Sequence, residues 1–340
     1  MKSYLKIKAE SLGFDLFGVT TPAAGEHLNS YRVWLDQGMH GEMHYLERHL
    51  PLKENPQLLM PNMKSIVIVA CNYWNPASAE GTQASVAAYA RGDDYHGFMK
   101  NMLEELAQAA QLKNPDFAYR TFVDSGPLME RDLATRAGLG WIGKNSCLIH
   151  PQKGSWFLLG CLLTNQEMPP DKPFNHFHCG SCTRCIDACP TDALTAPHTL
   201  DARQCIAYWT IEQKESIPEP LRENIGDWLF GCDICQQVCP WNERFAESTT
   251  HEVFTPRDWM STHSLSDLLA LTEHQFSLQI APKSPIKRPK YRGFLRNISV
   301  VMGNQKQATF IPALQKALQD HQGDSMLQEH FNWALQKCLS

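Results

Sequence analysis

No stretch of this 340-residue chain is apolar enough to cross a membrane as a helix: the longest runs, residues 66–71 and 156–163, fall far short of the ~18 residues required. The start, Met-Lys-Ser-Tyr-Leu-Lys-Ile-Lys-Ala-Glu, lacks the charged stub and apolar core of a secretory signal. It reads as an amphipathic helix, and a cytoplasmic location with no membrane partner is expected. Low-complexity tracts are missing. Charge is sparse, at 20% of residues with a net charge of −5, which speaks against a surface coated throughout in nucleic acid. With 43% hydrophobic residues, the chain has enough apolar material for a soluble protein of two or three domains.

A dinucleotide site is missing too, although Gly138-Leu-Gly140-Trp-Ile-Gly143 formally matches G-x-G-x-x-G. That motif needs a strand before it and a helix after it. Here a helical pattern comes first, and Gly138 stands where a C-cap glycine belongs. The loop reads instead as tightly turned backbone able to approach a large flat ligand, which excludes NAD and FAD. Among fourteen histidines none pairs at metal-binding spacing, and His96 in Asp94-Tyr-His96 reads as a cap partner early in a helix.

What the chain has is cysteine in two linked groups. Cys179-Gly-Ser-Cys182-Thr-Arg-Cys185-Ile-Asp-Ala-Cys189-Pro190 reproduces the bacterial ferredoxin run C-x2-C-x2-C-x3-C-P, in which three thiolates hold one iron–sulfur cube and the fourth reaches another. Cys232-Asp-Ile-Cys235-Gln-Gln-Val-Cys239-Pro240 ends the same way without a leading cysteine, and Cys205 is the natural supplier of that ligand. Cross-ligation assigns Cys179, Cys182, Cys185 and Cys239 to one [4Fe-4S] cluster and Cys189, Cys205, Cys232 and Cys235 to the other. Zinc favours two separated pairs, and disulfides need an oxidising compartment, so neither suits this spacing as well. Cys71, Cys147, Cys161 and Cys338 have no spaced partner and are expected to be structural.

Along the chain, residues 3–12, 31–37, 94–112 and 128–137 carry helical patterns. Residues 14–20, 65–73 and 117–124 carry strand patterns, and 146–150 with 156–164 are expected as a closing pair of strands. On the long helix, Phe98, Met102, Leu106 and Ala109 share a face. This predicts an α+β domain over residues 1–165, a cysteine-rich module over 166–245 entered through a proline-rich linker, and a helical region over 246–340. The last contains three amphipathic patterns, 294–302, 310–318 and 326–335, resembling a HEAT-like repeat.

Two features admit two readings. Asp124 opens the turn Asp124-Ser-Gly-Pro127 after a strand, where an Asx-turn explains it fully; it could equally be a general acid whose pKa an apolar site raises. Residues 281–296 hold Lys283, Lys287, Arg288, Lys290, Arg292 and Arg296 with no acidic residue, which fits either a phosphate-contacting stripe or a solvated linker.

Several stretches together resemble the epoxyqueuosine reductases, cobalamin-dependent iron–sulfur enzymes of the last step of queuosine synthesis in tRNA. They are Arg91-Gly-Asp-Asp-Tyr-His96, Val123-Asp-Ser-Gly-Pro127, Glu130-Arg131, Ala137-Gly-Leu-Gly-Trp-Ile-Gly-Lys-Asn145, Gly154-Ser-Trp-Phe-Leu-Leu-Gly160, the eight cysteines, Phe294-Leu-Arg-Asn297 and Met302-Gly-Asn304. The resemblance implies a nitroreductase-like cobalamin-binding domain, a ferredoxin-like module with two [4Fe-4S] clusters, and a C-terminal helical repeat for tRNA. It implies Asp124 as proton donor and cofactor contact, displacing the Asx-turn reading. Further cobalamin contacts fall on Gly143, Asn145, Leu148 and Leu159, and on Lys53, where the family usually has arginine; lysine keeps the charge and loses the bidentate fork. Electrons would come from an external low-potential donor through the clusters to cobalamin. The tRNA would meet Lys283, Lys287, Arg288, Arg292 and Arg296, and the enzyme would act as a monomer.

Overall fold

The computed structural model describes residues 1–76 and 83–340. Helix α1 (Lys2–Ser11) leads into strand β1 (Leu16–Thr20), which pairs antiparallel with β2 (Ser65–Asn72). Helix α2 (Tyr95–Lys113) then precedes β3 (Tyr119–Val123), helix α3 (Glu130–Arg136) and β4 (Phe157–Thr164). The four strands form one antiparallel sheet in the order β1-β2-β4-β3.

Strand alternation splits the sheet's side chains between two cores. Val67, Val69, Cys71 and Leu162 point towards α1 and α2; Ile66, Ile68, Cys161 and Leu163 point towards α3. Helix α2 lies so close to the first face that a Cβ on Gly160 would stand 2.8 Å from Leu103. Its buried stripe is Met99, Met102, Leu103, Leu106, Ala107 and Ala110, a face rotated from the expected one, so Phe98 and Ala109 are only half-buried. Each fully buried leucine on it stabilises the fold by ~1.5–3 kcal/mol.

The expected closing pair of strands does not form. Leu148–Ile149 pairs with Trp141–Ile142 in a separate ribbon, while β4 lies inside the main sheet between β2 and β3. Sequence neighbours with β patterns suggest a hairpin, but six of the eight residues of β4 are apolar, and between β2 and β3 its backbone is bonded along both edges while its side chains divide between the two cores. The linker is a fastening: Asp171 N–H donates to Val19 O, and the Asp171 carboxylate accepts from Val19 N–H and from Lys2 Nζ at 2.7 Å, covering the free edge of β1.

The three C-terminal patterns are helices α4 (Lys290–Gln305), α5 (Ile311–Asp320) and α6 (Ser325–Leu339). Their core is shared with residues far upstream. Ile206, Tyr208, Trp209, Leu229 and Phe230 belong to it, as does Val86, whose strand Ser85–Val86 pairs parallel with Trp228–Phe230. The motif residues of α4 serve this packing. Asn297 Nδ2 donates to Thr210 O and Leu229 O, Asn304 Nδ2 donates to Arg222 O and Gly226 O, and a Cβ on Gly303 would stand 2.3 Å from the Trp333 ring. Among the described residues no helix is long and apolar enough to cross a membrane.

Candidate active site

The two cysteine loops are built alike: short helices Arg184–Asp187 and Ile234–Gln237 each grow out of a Cys-x-x-Cys turn and end just before a Cys-Pro pair. Cys179, Cys182, Cys185 and Cys239 line one cavity of ≈ 300 Å³, with Lys144, His178, Trp241 and Phe245. Lys144 Nζ donates to Gly180 O and Cys182 O, placing a cation beside sulfurs that must ionise. Cys189, Cys205, Cys232 and Cys235 form the second set. Burial pushes Cys232 up to about 12, helped by the nearby Cys205 and Cys189, and burial and then neighbouring thiols including Cys232 and Cys205 raise Cys235. Thiolates gathered this closely are ligands when a metal offsets their charge. All-sulfur donors in two groups of four fit iron–sulfur cubes.

The remaining cysteines divide. Cys71, Cys161 and Cys338 are buried in hydrophobic cores. Cys147 is half-buried between the two sets, pushed up to about 11 first by burial, with Cys239, Cys185 and Asp233 adding to it.

On the opposite side of the glycine loop, Asp124 sits at the end of β3 with φ +54°, a left-handed conformation uncommon outside glycine and characteristic of functional sites. Its carboxylate meets His96 Nε2 at 3.1 Å instead of capping its own turn, and 63% of the side chain is open to solvent. His96 is held in the first turn of α2, where Asp94 caps the helix through the His96 N–H and takes His96 Nδ1 at 2.6 Å. The cap-partner reading of His96 therefore holds for one nitrogen, and the other reaches Asp124. The hydrogen bond from His96 draws the Asp124 carboxyl below its ordinary value, outweighing burial. This corrects the expectation that its surroundings raise it. The same pairing holds His96 up at about 9.

Glu130, at the start of α3, shares this cleft. Burial pushes it up to about 7, and its buried Oε1 finds no partner among the described residues. Lys53 stands nearby, 5.2 Å over the Tyr31 ring, its ammonium donating to Leu128 O at 2.6 Å. Burial lowers the Lys53 pKa. Leu159 lies half-buried on β4 beside the Leu148 core. Gly143 N–H closes a turn on Cys147 O, and Asn145 Nδ2 donates to Cys235 O, tying this wall to the second cysteine set. A buried carboxylate oxygen without a partner among the described residues fits the amide N–H rim of a corrin, so Glu130 suits the implied cofactor.

The glycine loop spends its freedom internally. Gly138, at φ +80°, ends α3 in a Schellman arrangement, its N–H bonding Thr135 O and that of Leu139 bonding Ala134 O. A Cβ on Gly140 would stand 2.1 Å from Ile149 O, so the close approach expected for a ligand is, at this glycine, an approach to the chain's own ribbon. The expectation about histidine pairing also needs correction: His40, His44 and Glu47 gather their donor atoms within 4.8 Å, with His40 Nε2 bonded to Glu47.

Of the basic stripe, Lys283, Lys287 and Arg288 are exposed. Lys287 pairs with Asp94 at 2.7 Å and Arg288 with Glu212 at 2.9 Å, which sets both beside the Asp124 cleft. Arg292 is engaged by Asp324 at 2.6 Å. Arg296 is fully buried, donating to Trp209 O, Gln213 O and Glu215 O, and cannot touch an RNA. Its place on the inner face of α4 fixes this, since charge in a linear stripe says nothing about which helix face carries it. The sequence reading missed His96 and Glu130 as site residues. The available signal for His96 was its position two residues after a capping aspartate, where a side chain projects past the helix end.

Residues 53–125 match the family model described as epoxyqueuosine reductase QueG, DUF1730, and residues 178–242 match the 4Fe-4S double cluster binding domain. An epoxyqueuosine reductase of Xanthomonas campestris pv. campestris is 42% identical over 338 residues, covering 97% of this chain and 94% of the relative. That of Escherichia coli strain K12 is 39% identical over 332 residues, covering 95% and 86%. The fold is similar to that of epoxyqueuosine reductase crystallised with an epoxyqueuosine-modified tRNA-Tyr stem loop (TM-score 0.85, 27% identity, 100% and 99% of the two chains). It is also similar to the Streptococcus thermophilus enzyme (TM-score 0.90, 27% identity, 100% and 90%). On identities of 42% and 39% sustained over almost its whole length, the chain belongs to the epoxyqueuosine reductase family.

Proposed function

We infer that this protein is an oxidoreductase that reduces epoxyqueuosine to queuosine in tRNA, and the observation that carries the reading is the near-full-length likeness to epoxyqueuosine reductases. Its cofactors are two [4Fe-4S] clusters and cobalamin. Bound, the clusters supply one-electron carriers and cobalamin a strongly reducing cobalt centre.

The two groups of four cysteines are proposed as the ligands of the two cubes, and Lys53, Gly143, Asn145, Leu148 and Leu159 as the walls that hold the corrin. Glu130 would accept from its amide rim. Asp124 is proposed to protonate the oxygen that leaves the epoxide, while Lys283, Lys287 and Arg288 at the cleft mouth hold tRNA phosphates and so orient the anticodon base. Arg292, engaged by Asp324 through Nε and Nη2 and by Glu215 through Nη1, would be a weaker contact. An external low-potential donor is proposed to approach the cavity lined by Cys179, Cys182, Cys185 and Cys239. The division at 165 and 245, the nitroreductase-like and HEAT-like descriptions, action as a monomer and a cytoplasmic location belong to the same proposal.

Incubating the cluster-loaded protein with reductant, cobalamin and epoxyqueuosine tRNA, then analysing nucleosides by mass, should show queuosine appearing. Protein with full iron and corrin that leaves epoxyqueuosine intact would refute the reading.

A further inference from the structure

Asp124, His96 and Asp94 form an unbroken line that ends at the surface on Lys287. The contacts are Asp124 Oδ2 to His96 Nε2 at 3.1 Å, His96 Nδ1 to Asp94 Oδ1 at 2.6 Å, and Asp94 Oδ2 to Lys287 Nζ at 2.7 Å. Ionised carboxylates only accept hydrogen bonds, so an imidazole can satisfy both neighbours only with a hydrogen on each nitrogen. With both carboxylates ionised, as Lys287 on Asp94 and the Tyr95 phenol on Asp124 favour, the line holds an imidazolium, and the proton that Asp124 is meant to give rests on His96.

The surroundings agree. His96 stacks on the Tyr95 ring at 4.2 Å, and Lys100, one turn on, lines the same small cavity of ≈ 270 Å³. The Tyr95 phenol donates to Asp124. Arg131 lowers the Asp124 pKa from α3, Glu130 feels the Asp124 charge from the same helix, and the Asp124 charge in turn raises Arg288 from the C-terminal segment. The first cause of the raised His96 is its bond to Asp124 and the second its bond to Asp94, both outweighing burial.

Resting on the reading that Asp124 protonates the departing oxygen, we propose that His96 stores that proton and passes it on through Asp124, with Asp94 and Lys287 as its positioning arm. In the step, the Nε2–H bond breaks as Asp124 Oδ2 takes the proton, and the carboxyl O–H breaks as the leaving oxygen takes it. A neutral imidazole and a carboxylate remain. No electrons move in this transfer, because the two electrons of the reduction arrive from the enzyme's own reductant. The imidazole regains its proton from solvent when product leaves. Lys287 offsets the charge of Asp94 and so keeps that carboxylate from holding the proton too tightly.

Asp94→Asn keeps a good helix cap while removing the charge, which separates the relay from the fold. Nitrogen-15 NMR of the full chain should show both His96 nitrogens protonated at neutral pH, with a midpoint near 9 that falls towards neutrality in Asp94→Asn. The alkaline limb of the pH profile for epoxyqueuosine tRNA reduction should move the same way. His96→Gln should retain its iron and lose ~10²-fold in rate at neutral pH. A His96 midpoint near the ordinary ~6.5 in the wild type, or an alkaline limb indifferent to Asp94→Asn, would overturn the relay. A wild type that reduces nothing while His96 titrates near 9 would instead refute the activity and leave the proton's location established.

Discussion

The cysteine lobe and the Asp124 cleft are neighbours that specify their chemistry by opposite means. In the lobe, seven of the eight sulfurs come from two short runs, residues 179–189 and 232–239, so spacing alone brings donors together. In the cleft, the groups around Asp124 arrive from five places: Asp94 and His96 on α2, Glu130 and Arg131 on α3, Lys53 and Tyr31 from the segment before β2, Glu212 after Cys205, and Lys287 and Arg288 before α4. A metal site tolerates local encoding because covalent bonds do the ordering. A proton site needs the whole fold to set the electrostatics around it.

The comparison can be broken by removing one member of each set. Cys232→Ala should cost about half of the iron and abolish turnover, read by iron analysis and electron paramagnetic resonance. Full iron content would show that Cys232 is no ligand. Asp124→Asn should keep all the iron and bind corrin, with the rate of the chemical step down ~10²–10⁴-fold. A drop in iron as well would mean the two regions are not separable.

Arg296 sharpens the contrast between charge that meets solvent and charge that holds the fold. Arg296→Ala leaves the Trp209, Gln213 and Glu215 carbonyls without their donor, at ~1–3 kcal/mol for each acceptor left unsatisfied, so denaturant unfolding should shift markedly while the salt dependence of RNA binding in the remaining folded protein does not. The smallest effect belongs to the rim. Lys283→Gln with Arg288→Gln should weaken tRNA binding several-fold and flatten the slope of log affinity against log salt by about one per residue. An unchanged slope would remove these residues from the RNA interface.

The same contrast explains what could be read from the chain. The cluster cysteines, the β-branched run of β2 and the three C-terminal helices are local patterns, and each was legible. Pairing was not: the two strand patterns at 146–150 and 156–164 look like a hairpin until the sheet supplies better partners for β4. Charge was half legible. The stripe marks a basic segment, but helix phase sends Arg296 inward, while Lys283 stays exposed in the turn before α4. For Asp124 the residue was visible and its state was not, because the histidine that lowers its pKa lies 28 positions earlier.

The parallel pairing of Ser85–Val86 with Trp228–Phe230 bears on how the chain is made. At ~5–20 residues per second, a ribosome delivers the partner strand roughly 7–30 s after residues 85–86 have emerged. Until then Val86 and Ala90 lack the core they join, so the sheet domain of a nascent chain is born with apolar residues waiting for their distant mate. Chaperone occupancy on ribosome-bound chains should persist until the Trp228 region clears the exit tunnel.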